Sequence, residues 1–141
     1  MKKLGSRIGQ FLHGGEVIEL VGDVGSGKTT FAKGLGLGLA IDEDIQSPSF
    51  TINRLYDARD GLQLAHYDFY RLSDAGIMNH ELSETITDPR IVTVIEWADA
   101  VLQVLPDERL QIRFTSPSVT DRTVELLPLG NHYKTLVDRV A

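Results

Sequence analysis

The chain has 141 residues, 42% of them hydrophobic and 24% charged, a composition that predicts one soluble domain built around a single core. It contains no cysteine, which excludes disulfides, thiolate metal sites and a cysteine nucleophile. A formal net charge of -6 argues against a broad basic grip on nucleic acid and leaves room only for a local basic patch, and no apolar run approaches the ~20 residues that cross a bilayer.

The basic start Met1-Lys2-Lys3 is not followed by the apolar core of a signal peptide, so the expected location is the cytoplasm. Leu4, Ile8, Phe11 and Leu12 recur at helical spacing, and His13-Gly14-Gly15 ends that helix. Val17, Ile18, Leu20 and Val21 form a short apolar run that stops at Gly22, the pattern of a buried parallel strand. A helix is expected from Lys28 to about Leu39. Gly34, Gly36 and Gly38 argue against it, since each costs roughly 0.8–1.0 kcal/mol relative to alanine in a helix interior. The glycine loop just before Lys28 decides for helix.

Further strands are expected at residues 51–56, 63–68, 91–96, 109–114 and 123–127, with helices at 74–85, 98–104 and 131–140. Asp60-Gly61 reads as the centre of a hairpin turn between two antiparallel strands. Helices alternate with strands in the first part and strands cluster toward the end. The expected fold is therefore α/β, a sheet parallel at its centre with antiparallel additions and flanked by helices; the glycine loop before Lys28 makes it P-loop NTPase-like.

Gly22-Asp23-Val24-Gly25-Ser26-Gly27-Lys28-Thr29 matches the phosphate-loop pattern G-x-x-x-x-G-K-[ST] in full. The glycines let backbone N–H groups curl around a phosphate, and the helix that opens at Lys28 adds its N-terminal donors. Lys28 is expected to neutralise the β- and γ-phosphates and the Thr29 hydroxyl to ligate Mg²⁺, which makes ATP with Mg²⁺ the expected ligand. The nucleotide cradle then comprises Asp23, Val24, Gly25, Ser26, Gly27, Lys28, Thr29 and Thr30.

Such a loop needs an acid at the carboxyl end of a neighbouring strand. Glu96 closes the apolar run Ile91 to Ile95 in the manner of a Walker B acid and is a candidate ligand for Mg²⁺. Asp68, in His66-Tyr67-Asp68-Phe69-Tyr70-Arg71, is the second candidate, to orient the attacking water or to serve the metal shell. Period-two alternation puts Leu64, His66 and Asp68 on one face. His66 itself reads more readily as a core histidine. Ser47-Pro48-Ser49-Phe50-Thr51 is a stiffened, hydroxyl-rich segment where nucleotide switches keep their first mobile loop. Trp97 reads as core, with a use as a fluorescent reporter of nucleotide.

Gly-Asp-x-Gly-x-Gly-Lys-Thr-Thr, then Ser-Pro-Ser-Phe-Thr, then His-x-Asp-x-Tyr-Arg, then Ile-Glu-Trp, in this order and spacing, resembles the TsaE family. The resemblance covers nearly the whole chain. It implies an ATPase of tRNA threonylcarbamoyladenosine biosynthesis that works with the proteins TsaB and TsaD. It further implies Thr29 and Glu96 as Mg²⁺ ligands, Asp68 as the catalytic or metal-shell acid, Ser47 to Thr51 as the switch, and Arg122 against the nucleotide. RNA recognition would then lie with the partners, with no tight tRNA binding by this chain. A small-molecule P-loop kinase and a nucleotide-gated interaction module are the rival readings; a GTPase is disfavoured by the lack of an Asn-Lys-x-Asp motif.

Overall fold

Six strands share one sheet, in the order β2-β3-β4-β1-β5-β6, in the computed structural model, which describes residues 1–23, 27–46, 53–70 and 76–140. The elements in chain order are α1 (Lys2–Gln10), β1 (Val17–Val21), α2 (Lys28–Gly38), β2 (Asn53–Asp57), β3 (Gln63–Asp68), α3 (Gly76–Thr87), β4 (Ile91–Glu96), β5 (Arg109–Thr115), β6 (Thr123–Leu129) and α4 (Asn131–Val140). The four central strands β3, β4, β1 and β5 run parallel, and β2 and β6 join their edges antiparallel. This is the expected P-loop arrangement, with antiparallel strands added at both margins.

Alternation along the strands sorts the side chains into two layers. Ile18, Leu20, Leu64, Val92, Val94, Leu110 and Ile112 face one way and are buried against α1, α2 and α4 through Ile8, Phe31, Leu35 and Leu136. Ala65, Tyr67, Ile91 and Ile95 face the other way, beneath Leu82 of α3 and Val101. Because β4 is buried on both faces, its residues 91–95 read as a continuous apolar run interrupted only by Thr93.

The glycines of α2 have a packing reason. A Cβ on Gly34 would lie 2.2 Å from the Lys2 carbonyl oxygen, and one on Gly38 would lie 2.3 Å from that of Ser6. The reverse holds on α1, where a Cβ on Gly5 would lie 2.4 Å from Phe31 O and one on Gly9 would lie 2.7 Å from Leu35 O. Two glycines on each helix, four residues apart, thus let the backbones touch. Close packing outweighs the propensity cost that made the sequence reading of α2 doubtful.

Several boundaries differ from expectation, β2 and β5 by a single residue at their ends. Residues 98–104 were expected to be helical, but only Ala98–Val101 forms a single 3₁₀ turn, entered through Trp97 in the left-handed region (φ 57°, ψ 52°). β6 continues through Pro128 to Leu129, because an edge strand tolerates a residue with no N–H to give. α3 runs to Thr87, two residues further than its pattern suggested. The expected hairpin is present, with Asp60 (φ 59°) and Gly61 (φ 76°) both left-handed at its tip.

Candidate functional site

β4 lies between β1 and β3, so the carboxyl ends of the three strands come side by side: Leu20 pairs with Glu96, and Glu96 with Asp68. Parity places Glu96, His66 and Asp68 on the same face as Val94 and Leu64, the face covered by α2. α2 begins at Lys28, after Gly27 in the left-handed conformation (φ 110°), which a glycine adopts without strain. The phosphate-loop lysine and both candidate acids therefore converge on one corner of the sheet.

Lys28 is buried there. Its Nζ donates to the Gly22 carbonyl at 2.6 Å and lies 3.9 Å from Glu96 Oε1. It also sits 4.0 Å from the centroid of the Trp97 ring, a cation–π contact. Burial pushes the Lys28 ammonium below the usual lysine range, against the opposing pull of Glu96, Asp68 and Asp23. Trp97, read from sequence as core, is thus a wall of the lysine's niche, and Tyr70 leans on it with ring centroids 4.8 Å apart.

Glu96 is 3% exposed, a level at which an ionised carboxylate needs partners. Its Oε2 is 2.6 Å from His66 Nε2, and its Oε1 is the oxygen turned toward Lys28. His66 is buried, as a core histidine would be, but its hydrogen bond goes to the candidate metal ligand. Its distance of 30 residues from Glu96 hides this pairing; the signal lies in the matching strand ends His-x-Asp and x-x-Glu. Asp68 is half-buried, and its Oδ1 accepts from the Tyr70 N–H at 3.0 Å.

Asp23, Thr29 and Thr30 are exposed beside these groups in sequence, and Asp23 acts electrostatically on Lys28. Val24, Gly25 and Ser26, the switch residues Ser47, Pro48, Ser49, Phe50 and Thr51, and Arg71 lie outside the described residues. Arg122 precedes β6, two strands from β1, at the same edge of the sheet. Its Nη1 donates to the carbonyls of Ser118, Val119 and Asp121, so its guanidinium ties up its own loop and is not brought into the niche. An open cavity of about 380 Å³ near Asp57, Gln63 and Arg90 lies at the opposite, amino edge of β3 and β4.

The donor chemistry suits Mg²⁺. The oxygens near the loop are hard ones: the Glu96 and Asp68 carboxylates and the Thr29 hydroxyl. Among the described residues no group of three or more His, Cys, Asp or Glu side chains forms a cage, whereas Mg²⁺ binds through one or two carboxylates plus phosphate oxygens and water.

The family model for the threonylcarbamoyl adenosine biosynthesis protein TsaE matches residues 1–124. A protein of Bacillus subtilis (strain 168) named tRNA threonylcarbamoyladenosine biosynthesis protein TsaE is 37% identical over 133 residues, covering 93% of this chain and 81% of its own length. Its namesake from Streptomyces coelicolor is 36% identical over 114 residues, covering 80% and 77%. The crystal structure of YdiB from Bacillus subtilis superposes with a TM-score of 0.79 at 34% identity, over 99% of this chain and 85% of that one.

Proposed function

The chain belongs to the TsaE family, and from that premise we propose that it binds and hydrolyses ATP with Mg²⁺ to serve threonylcarbamoyladenosine modification of tRNA, acting with TsaB and TsaD in the cytoplasm. The observation that carries the reading is the convergence of buried Lys28 with Glu96 and Asp68 at the carboxyl ends of β1, β3 and β4. That is where a parallel α/β sheet receives its ligand.

In this reading Asp23 to Thr30 cradle the phosphates, and the whole chain works as one domain. Lys28 leaves the Gly22 carbonyl and the Trp97 ring to meet the β- and γ-phosphates. Thr29 and Glu96 hold Mg²⁺, which when bound neutralises phosphate charge. Asp68 orients the attacking water, Ser47 to Thr51 act as the switch, and Arg122 approaches the nucleotide only if its loop releases it. With Arg122 donating to the carbonyls of its own loop, turnover by the chain alone is expected to be slow.

The test is steady-state ATP hydrolysis with and without a TsaB–TsaD complex, in wild type and in Glu96→Gln. Stimulation of the wild type by the complex, absent in Glu96→Gln, is the expected result. Equal rates in all four arms overturn the ATPase reading.

A further inference from the structure

Two buried polar side chains on neighbouring strands make one unit beneath the phosphate loop. His66 Nε2 and Glu96 Oε2 are 2.6 Å apart, with side chains 1% and 4% exposed. The other ring nitrogen, Nδ1, is buried with no hydrogen-bond partner among the described residues. A carboxylate only accepts, so Nε2 is the ring nitrogen that donates to Oε2.

The bond divides the work of the carboxylate. Oε2 is taken by His66, while Oε1 is turned toward Lys28 and the loop that ends there. Rotating Glu96 away would cost the His66 bond and strand both groups in the core. Ligating carboxylates elsewhere are held in this way by hydrogen bonds from behind. We propose that His66 is a positioning residue: by donating from Nε2 to Glu96 Oε2 it holds Oε1 in the orientation that receives the divalent cation. The inference rests on Glu96 being a metal ligand. It adds a residue that touches neither nucleotide nor metal.

Mn²⁺ binding to the ADP-loaded chain, followed by electron paramagnetic resonance, is the direct measurement, with ADP affinity in the absence of metal as control. His66→Leu should weaken Mn²⁺ about tenfold or more, with metal-free ADP affinity within about twofold of wild type. His66→Gln, whose amide reaches the place of Nε2, should restore most of the loss. In the Glu96→Gln background, His66→Leu should cause no further loss. Unchanged Mn²⁺ affinity in His66→Leu, or equal loss in the Leu and Gln variants, overturns the proposal while leaving Glu96 as ligand. Unchanged Mn²⁺ affinity in Glu96→Gln removes the reading on which it rests. If His66→Leu does not fold, ¹⁵N-histidine spectra of the wild type still decide. An Nε2–H ring whose signal moves in Glu96→Gln supports the proposal, and an Nδ1–H ring ends it.

Discussion

Lys28 Nζ rests 4.0 Å from the centroid of the Trp97 ring while donating to the Gly22 carbonyl. A phosphate entering the loop competes for the same ammonium with full negative charge, and neither a carbonyl nor an indole face matches that attraction. Lys28 should therefore leave the ring when nucleotide binds. Trp97 is the only tryptophan, so its emission should shift saturably as ADP is added. ADP that binds by calorimetry without changing the emission would show that Lys28 stays on the ring.

Lys28→Ala should lower Mg-ATP affinity at least about 100-fold, or about 2.7 kcal/mol. The substitution removes the cation of the niche and leaves Glu96 and Asp68 facing an anionic ligand. Calorimetry showing wild-type affinity would remove the phosphate-loop assignment.

The glycine contacts between α1 and α2 predict a reversal of helix propensity. Gly34→Ala should destabilise the protein by about 1–3 kcal/mol through overpacking, because its Cβ meets the Lys2 carbonyl, a backbone atom, at 2.2 Å. Gly36→Ala meets the Ile45 side chain at 2.7 Å, not a backbone atom, so its loss should be smaller. Urea unfolding of both variants gives the ranking, and a stabilised Gly34→Ala contradicts it.

Tyr133 closes the foot of β1: its hydroxyl oxygen accepts from the buried Val17 N–H at 2.9 Å. Tyr133→Phe leaves that donor unpaired and should cost about 1–2 kcal/mol. Burial raises the Tyr133 pKa above the usual 10.0, so the unfolded chain gives up its proton first as pH rises. The stabilisation is whole below pH 10.0 and is lost as pH climbs through the higher folded value. Tyr67 is shifted the same way and adds to the slope, so Tyr133→Phe should flatten the alkaline fall without abolishing it.

With a net charge of -6 the isolated chain has few cations with which to displace the counterions of RNA. Binding to tRNA at physiological salt should be weak and should vanish as salt rises. Submicromolar binding in a filter assay would reveal a basic face, and Arg54, Arg59, Arg71 and Lys134 would be the first positions to change.

What the sequence made legible was whatever a local pattern encodes. β3 and β4 begin and end where their patterns place them, since turn residues and buried runs mark them on both sides, and α4 opens directly after Gly130 as its pattern suggests. Glu96 and Asp68 were found because the end of a strand is a local fact. The bond from His66 to Glu96 depends on which strands are neighbours and in what register, and no window of sequence carries that. The same is true of Trp97, whose left-handed backbone swings its ring over Lys28, far back along the chain. The close approach of α1 to α2 was hidden for the opposite reason: glycine there reads locally as weakness.

The register of β3 on β4 ties the chemistry of the corner to residues that never meet a ligand. Val92, Val94 and Leu64 alternate with their neighbours so that Glu96, His66 and Asp68 emerge on the α2 side. A slip of one residue in either strand would send that strand's acid to the opposite face, toward α3. The hydrophobic core thus acts as a key that admits one address for each acid. A cavity opened at Val94 should appear first as poor cation binding, in a protein that still looks folded by its helices.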